Sequence, residues 1–209
     1  MRPRVDVGLV GALTYEHRRL QTMFDDLQLA MGAGEKRRRA EEVTAELVRH
    51  TMAEERYLYP AARRCAPDGP AVADRAVGAH AEVETLLRRL EETEVAHPRF
   101  DRLVTSLVSE VMAHVQVEEA TLFPRLARHG DPAELAELGR RVRRARTAAP
   151  SLADLTLHRP SLRGAPRGGP SPGAPFEGGP SSGGAHPAGS PRRSGSLVDR
   201  LRDHLADRI

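Results

Sequence analysis

The sequence predicts an all-α protein: an up-down-up-down four-helix bundle, a short fifth helix, and a disordered C-terminal tail that ends in a short amphipathic helix. Ala, Leu, Arg and Glu, all good helix formers, are abundant among its 209 residues, and only 3% of the residues are aromatic. Apolar residues recur at helical spacing in four stretches of about 25 to 30 residues. Helices of this length joined by short turns form an antiparallel bundle.

Glycine and proline breaks divide the first two-thirds of the chain into five predicted helices. They are expected at about residues 5–31, 35–64, 69–96, 97–130 and 131–147. Asp68 and Asp131 are suited to cap the third and the fifth helix, because an aspartate side chain accepts hydrogen bonds from the first free N–H groups. Residues 5–147 are therefore expected to form one domain, with the bundle core at 5–130.

The composition changes after the fifth helix. Residues 148–195 are dominated by Gly, Pro, Ser and Arg, and such a segment buries too little apolar surface to offset its ordering entropy, so it is expected to be disordered. Residues 196–209 form an amphipathic pattern. Its apolar stripe consists of Leu197, Leu201, Leu205 and Ile209. A helix this short is marginal alone, and we expect it to dock on the bundle, to bind a protein partner, or to fray.

Charge and cysteine usage exclude several classes of protein. The formal net charge is only +3, and acidic and basic residues alternate along the helices, which argues against a nucleic-acid surface on the folded part. Cys65 is the single cysteine, so no intrachain disulfide can form, as suits the reducing cytosol. No stretch approaches the roughly 20 apolar residues needed to cross a bilayer. We expect a soluble cytoplasmic protein without a membrane partner.

The most informative feature is an internal repeat. Residues 50–60, HTMAEERYLYP, and residues 114–124, HVQVEEATLFP, both read H-x-x-x-E-E-x-x-L-aromatic-P. The preceding helices repeat as well, since His17 lies nearly as far before the first copy as His80 lies before the second. Two copies of a helical hairpin, each directing ligands inward, are a pseudo-symmetric way to build a site for two metal ions.

The spacing of these residues predicts that they converge. Residues i and i+4 of an α-helix lie one turn apart on the same face, and apolar neighbours such as Val77 and Leu107 place that face toward the core. The pairs are His50 with Glu54, His80 with Glu84, and His114 with Glu118. A single inward histidine is more often a hydrogen-bonded core residue than a ligand. This many buried ionisable groups, however, would each cost several kcal/mol without cations to neutralise them.

These residues resemble the haemerythrin-like (HHE) cation-binding family over roughly residues 5–130. The resemblance implies a non-haem centre of two iron ions joined by an oxo or hydroxo bridge, with both glutamates of the repeat bridging. Carried over by position, the ligands are His17, His50, Glu54, His80, His114 and Glu118. Zinc or manganese could occupy the same ligands.

Two positions differ from the oxygen carriers of that family. Glu84 stands where they have a second histidine, and we treat it as a seventh candidate ligand. Glu118 stands near the position of their aspartate. Fewer imidazoles and more carboxylates make a more anionic site, which favours ferric over ferrous iron. This argues against reversible oxygen carriage.

The resemblance implies reaction with a small oxidant such as dioxygen, hydrogen peroxide or nitric oxide, as a redox scavenger. If the protein is an enzyme, we expect a di-iron oxidoreductase with catalase- or peroxidase-like turnover. The alternative is a non-enzymatic iron or oxygen sensor, or an iron-binding module, that signals through the C-terminal tail. A third hypothesis is that the Arg-bearing tail binds an anionic polymer.

Several polar residues near the repeat have two interpretations. Tyr57 follows the first histidine of the repeat by two turns, where its hydroxyl would either bond a bound oxygen species or pack in the core. Glu46 and Glu110 each precede a histidine of the repeat by four residues. Each would either accept a hydrogen bond from an imidazole N–H or be solvated, and solvation is favoured. Glu55 and Glu119 are expected at the surface.

Overall fold

The computed structural model describes residues 8–65, 68–148 and 195–206, and within these ranges all regular structure is helical. The helices are α1 (Leu9–Leu29), α2 (Ala33–Ala53), α3 (Tyr59–Cys65), α4 (Gly69–Glu92), α5 (Arg99–Val117), α6 (Phe123–His129), α7 (Pro132–Ala148) and α8 (Leu197–Ala206). A first π turn (Glu54–Leu58) joins α2 to α3, and a second π turn (Glu118–Leu122) joins α5 to α6. The predicted all-α class is confirmed.

Each π turn lies just before a proline of the repeat. The backbone N–H of Tyr59 reaches back five residues to the Glu54 carbonyl, and that of Phe123 reaches the Glu118 carbonyl in the same way. Pro60 and Pro124 have no N–H, and in a regular helix their rings would crowd the carbonyl four residues earlier. The wider turn accommodates the ring and lets the helix continue. The sequence predicted uninterrupted helices here, and that detail was wrong.

Four long rods form the bundle: α1, α2 continued by α3, α4, and α5 continued by α6. Arg37 donates to the carbonyl of Leu90 at one end of the α2–α4 pair, and Arg63 donates to Asp74 at the other, so these rods run antiparallel. Large apolar side chains from all four rods fill the interior. They include Leu13, Phe24, Leu47, Leu58, Leu87, Phe100 and Leu107. Val77, expected on the core face of α4, is instead 40% exposed.

Two further helices pack outside the bundle. The fifth predicted helix is α7, which lies against α1 and buries Val142 and Ala145. The terminal helix α8 docks on α2 and α4, with Val198, Leu201 and Leu205 buried. Of the three outcomes expected for the terminal segment, the structure therefore shows docking.

The linker predicted at 148–195 lies outside the described residues except at its two end positions. Among the helices that are described, none is both long enough and apolar enough to cross a membrane.

Candidate metal centre

Six of the predicted ligands meet in the middle of the bundle, one or two from each rod. They are His17 of α1, His50 of α2, Glu54 of the first π turn, His80 of α4, His114 of α5 and Glu118 of the second π turn. The side chains are almost entirely buried: none is more than 8% exposed, and that of Glu54 is fully buried.

The carboxylate of Glu54 lies at the centre of this arrangement. Its Oε1 is 3.1 Å from Nε2 of His50 and 3.5 Å from Nε2 of His17. Its Oε2 is 3.2 Å from Nε2 of His80 and 3.8 Å from Nε2 of His114. Each oxygen therefore faces a different pair of imidazoles. We call His17, His50 and Glu54 the first ligand group, and Glu54, His80 and His114 the second ligand group.

Glu118 also spans the two groups. Its Oε2 is 3.5 Å from Nε2 of His17, and its Oε1 is 3.4 Å from Nε2 of His114. Within each group the ligand atoms lie within 4.8 Å of one another, close enough for a single ion to reach all of them. Two ions with two shared carboxylates would thus use every one of these side chains.

The donor atoms of the first ligand group fit a cation on a further ground. Nε2 of His17, Nε2 of His50 and Oε1 of Glu54 are buried, and although the two nitrogens lie 3.5 and 3.1 Å from this oxygen, neither contact has the geometry of a hydrogen bond. Oε2 of Glu118 is likewise buried and makes no contact with hydrogen-bond geometry to the described residues. Buried polar atoms are nearly always hydrogen-bonded, because an unpaired one loses its hydration without compensation. A metal ion bound between these atoms satisfies all of them at once.

The other ring nitrogen of three histidines is held by a carboxylate. Nδ1 lies 2.9 to 3.0 Å from Glu119 in His17, from Glu16 in His50 and from Glu55 in His80. A carboxylate that accepts from Nδ1–H orients the ring and leaves Nε2 free for a metal. The second glutamate of each repeat therefore contacts a histidine on a neighbouring rod. Glu55 and Glu119 were expected at the surface, and this was correct only in part, because their side chains are 29% and 30% exposed.

A tyrosine also lies among the ligand atoms, and it is Tyr59. Its hydroxyl is 3.0 Å from Nε2 of His80, 3.4 Å from Nε2 of His114 and 3.0 Å from Oε1 of Glu118, to which it donates. Tyr57, for which the sequence left open either a bond to an oxygen species or core packing, is buried nearby on the first π turn. The α-helical phase predicted Tyr57, but the π turn puts Tyr59 one wide turn after Glu54 on the same face.

Glu84, the seventh candidate ligand, is not brought to the cluster. Its carboxylate pairs with Arg88, at 3.2 Å, and with Arg202 of α8. The side chain of Glu84 lies on the side of α4 that faces α8, where Arg202 contacts it. The i, i+4 spacing therefore brings the glutamate to the histidine's site on α2 and α5 but not on α4.

Two other glutamates were predicted to be solvated. Glu46 is buried and pairs with Arg19, at 3.1 Å, and with Arg49, so solvation was wrong for it. Glu110 is half-buried at the wall of a cavity between α4 and α5.

Without a metal ion, protonated imidazoles would supply the positive charge beside the buried carboxylates. Burial lowers the pKa of His17, but the carboxylates of Glu118 and Glu54 outweigh burial and raise this pKa to about 9. The same balance raises the pKa of His114 to about 10. Burial by itself would raise the pKa of Glu54, yet the charge of His50 and bonds from other imidazoles hold it well below its usual range. Because a metal needs neutral imidazoles, cations and protons compete for these nitrogens.

A family model described as the hemerythrin HHE cation binding domain matches residues 9–126. The chain belongs to this family. The match contains all six residues of the cluster, whereas α7 and α8 of this HHE protein lie beyond it.

Two known proteins are similar to this HHE protein. A DNA nickase of Nostoc sp. is 26% identical over 118 residues, which make up 56% of this chain and 33% of that protein. The chain thus spans only about a third of the nickase's length. The crystal structure of an HHE cation binding domain-containing protein from Mycobacterium kansasii shares the fold, with a TM-score of 0.58 and 22% identity over 65% of this chain and 83% of that one.

Proposed function

We propose that this HHE protein is a non-haem di-iron protein that reacts with a small oxidant, namely dioxygen, hydrogen peroxide or nitric oxide, and that peroxide consumption is its activity. Membership of a cation-binding family supports metal binding in general. The observation that carries the proposal is the Glu54 carboxylate, whose two oxygens face the imidazoles of two different ligand groups. A carboxylate held between two pairs of histidines is suited to join two ions.

The ligands would divide evenly between the ions. His17 and His50 would hold one ion, His80 and His114 the other, and Glu54 and Glu118 would be shared. Imidazole and carboxylate together suit iron, zinc and manganese. Iron is proposed because the two ligand groups repeat the pattern of helix-borne His and Glu found in di-iron bundles. Bound iron would supply the redox change and the Lewis acidity that the reaction needs.

The protein's own contribution is to fix the ligands and to exclude water. Glu16, Glu55 and Glu119 hold three of the imidazole rings through Nδ1, so that each Nε2 is aimed at the centre before a metal arrives. The ligand side chains are buried among large apolar residues. Charges in such a dry site interact more strongly than they do in water.

Tyr59 would add an oxygen donor to the second ligand group. Its hydroxyl lies within 3.5 Å of Glu54 Oε2 and of the three other ligand atoms on that side, so an ion bound there would be within its reach. In the metal-free protein, burial and the charges of Glu54 and Glu118 raise the pKa of the hydroxyl, which keeps its proton. Metal binding would have to displace that proton for the phenolate to become a ligand.

A cavity of about 400 Å³ gives a small molecule access to the second ligand group. It lies between α4 and α5, and its walls include Val72, Ala76 and Ala79. His114 and Glu118 line it as well, while Asp68 and Arg125 form an ion pair beside it. A cavity of this size admits an oxidant far more readily than close packing would.

The test is iron content together with oxygen release from peroxide. Protein produced with iron should hold about two ions per chain and release oxygen from hydrogen peroxide. Glu54→Ala should lose both properties, because it removes the carboxylate shared by the two ions. Glu82→Ala, the same change at an exposed position of α4, should retain them. Unchanged iron content and oxygen release in Glu54→Ala would reject the proposal.

A second candidate function is an iron or oxygen sensor without turnover. The docking of α8 favours it, since Arg202 of that helix contacts Glu55, the carboxylate that holds His80. Stoichiometric iron binding with no peroxide consumption would distinguish the sensor from the scavenger.

A further inference from the structure

The terminal helix α8 lies outside the family match, yet it reaches a partner of a metal ligand. Nη2 of Arg202 is 3.2 Å from Oε1 of Glu55, and Nη1 is 3.4 Å from Oε2. The same Oε1 is 3.0 Å from Nδ1 of His80. Arg202 also contacts Glu84, so its guanidinium lies between two carboxylates. A continuous series of polar contacts thus runs from α8 to the second ligand group.

We propose that Arg202 is a positioning residue for His80, and that α8 reports metal occupancy because metal binding and helix docking stabilise each other. This inference rests on the proposed function, since it requires a metal between His80 and His114. The segment that responds to the metal is α8, and the contact that transmits the response is that of Arg202 with Glu55.

Because these groups are partly buried, their ion pairs contribute more to stability than exposed ion pairs do. Exposed ion pairs contribute little, because water screens them and their side chains lose entropy on pairing. The side chains of Arg202, Glu55 and Glu84 are only 31%, 29% and 14% exposed. Without the guanidinium, the carboxylates of Glu55 and Glu84 would be left partly buried with less neutralising charge between them. Glu55 would then turn toward water, and the ring of His80 would lose the carboxylate that orients it.

The internal repeat supplies a natural comparison. Glu119 holds His17 as Glu55 holds His80, and Glu119 also has an arginine near it. That arginine is Arg18, which is 3.9 Å away and 69% exposed. Among the described residues, the arginine comes from the histidine's own helix in the His17 half, whereas in the His80 half it comes from α8, which carries neither the histidine nor the glutamate.

Docking and folding of α8 are expected to occur together, so that the helix is either docked and folded or detached and unfolded. The helix has ten residues, too few to be stable alone in water, so a detached α8 would unfold. It is anchored by buried Val198 and Leu201, by the bond from the Leu197 backbone N–H to Glu91, and by the ion pair of Asp199 with Arg88. If metal binding favours the docked state by some factor, docking must favour metal binding by the same factor.

The first experiment is an anaerobic titration with ferrous iron against a competing chelator, on the full chain. Arg202→Gln should weaken iron binding about tenfold. Loss of a residue that orients a metal ligand lowers metal affinity by about 10- to 100-fold, and the smaller value is expected because Arg202 acts on His80 through Glu55. Arg202→Lys should restore part of the affinity, because it keeps the charge but not the two-pronged geometry. Arg18→Gln, the matched change in the other half, should bind iron as the wild type does. An Arg202→Gln affinity within twofold of the wild type would overturn the proposal.

The second experiment needs no variant. In wild-type protein, amide hydrogen exchange of residues 197–206 should slow about tenfold on adding ferrous iron, the reciprocal of the affinity effect. In Arg202→Gln this difference should shrink. Equal exchange in α8 with and without bound iron would overturn the inference and leave the di-iron proposal intact. Wild-type protein that binds no iron, or binds it equally well as Glu54→Ala, would overturn both.

Discussion

The Tyr59 hydroxyl is the feature that distinguishes one half of the cluster from the other. It comes within 3.0 to 3.5 Å of four ligand atoms, all on the side of His80 and His114. At the matching position of the repeat stands Phe123, whose ring stacks on His17 with 7° between the planes. A phenol on one side and a phenyl ring on the other give the two ligand groups different surroundings.

Replacing Tyr59 with phenylalanine tests its role as a ligand. We expect Tyr59→Phe to fold normally, because the ring remains and only one hydroxyl is lost. The ferric protein should lose the visible absorption that phenolate-to-iron charge transfer produces, while its near-ultraviolet absorption persists. Tyr57→Phe is the matched control and should keep the wild-type spectrum. Identical visible spectra for Tyr59→Phe and the wild type would show that the hydroxyl does not bind the metal.

Spacing alone was enough to predict most of the cluster. The H-x-x-x-E pattern brings the first glutamate of each repeat to its own histidine, since one helical turn separates them. It failed for Glu84 because the sequence does not show that this side chain faces α8 instead of the cluster. It missed Glu55 and Glu119 because their histidines belong to other rods, and contacts between rods do not follow from the periodicity of one helix.

Among the elements, the two π turns decide which side chains meet. Each begins at the first glutamate of a repeat and directs the aromatic residue five positions later toward the cluster. The sequence did contain a signal for them, namely a proline inside each predicted helix at Pro60 and Pro124. A proline in a helix interior indicates a kink or a bulge, but not which of the two, so the change of register could not be predicted.

The cavity between α4 and α5 provides an element-scale test of access. Ala79→Leu would fill part of this cavity, because Ala79 lines it on α4 next to His80. We expect the iron content to stay unchanged and kcat/KM for peroxide to fall several-fold. Ala81→Leu adds the same side chain at an exposed position of α4 and should leave both values unchanged. A normal kcat/KM in Ala79→Leu would place the access route elsewhere.

At the scale of the whole molecule, the buried histidines make stability depend on pH and on metal. The pKa of His17 is raised to about 9 and that of His114 to about 10, so both bind protons more tightly in the folded protein than in the unfolded chain. Folding is therefore favoured below the unfolded value of about 6.5, and this advantage is lost as the pH rises through 9 and 10. Glu54, whose pKa is lowered, acts in the opposite sense and stabilises the fold less as the medium becomes acidic.

Thermal unfolding of the metal-free protein checks this balance. We expect the midpoint to fall by about 5 to 10 °C between pH 7 and pH 10, as the imidazoles lose their protons and the buried carboxylates lose their counter-charge. Iron-loaded protein should show a much smaller decrease, because the ions supply the positive charge at either pH. A midpoint of the metal-free protein that stays constant over this range would contradict the proton balance described for the cluster.

The unlike neighbours of the two histidine pairs have a consequence for assembly. Two identical hairpins would form two equal ligand groups, but here Phe123 flanks the first ligand group and the Tyr59 hydroxyl flanks the second. To bind an ion as a phenolate, that hydroxyl would have to lose a proton that burial and the nearby carboxylates help it to keep. Filling should then proceed in two steps, with the Phe123 side loaded first. Between the steps the protein would carry a single ion on the Phe123 side, whereas two equal sites would hold a single ion on either side with the same frequency.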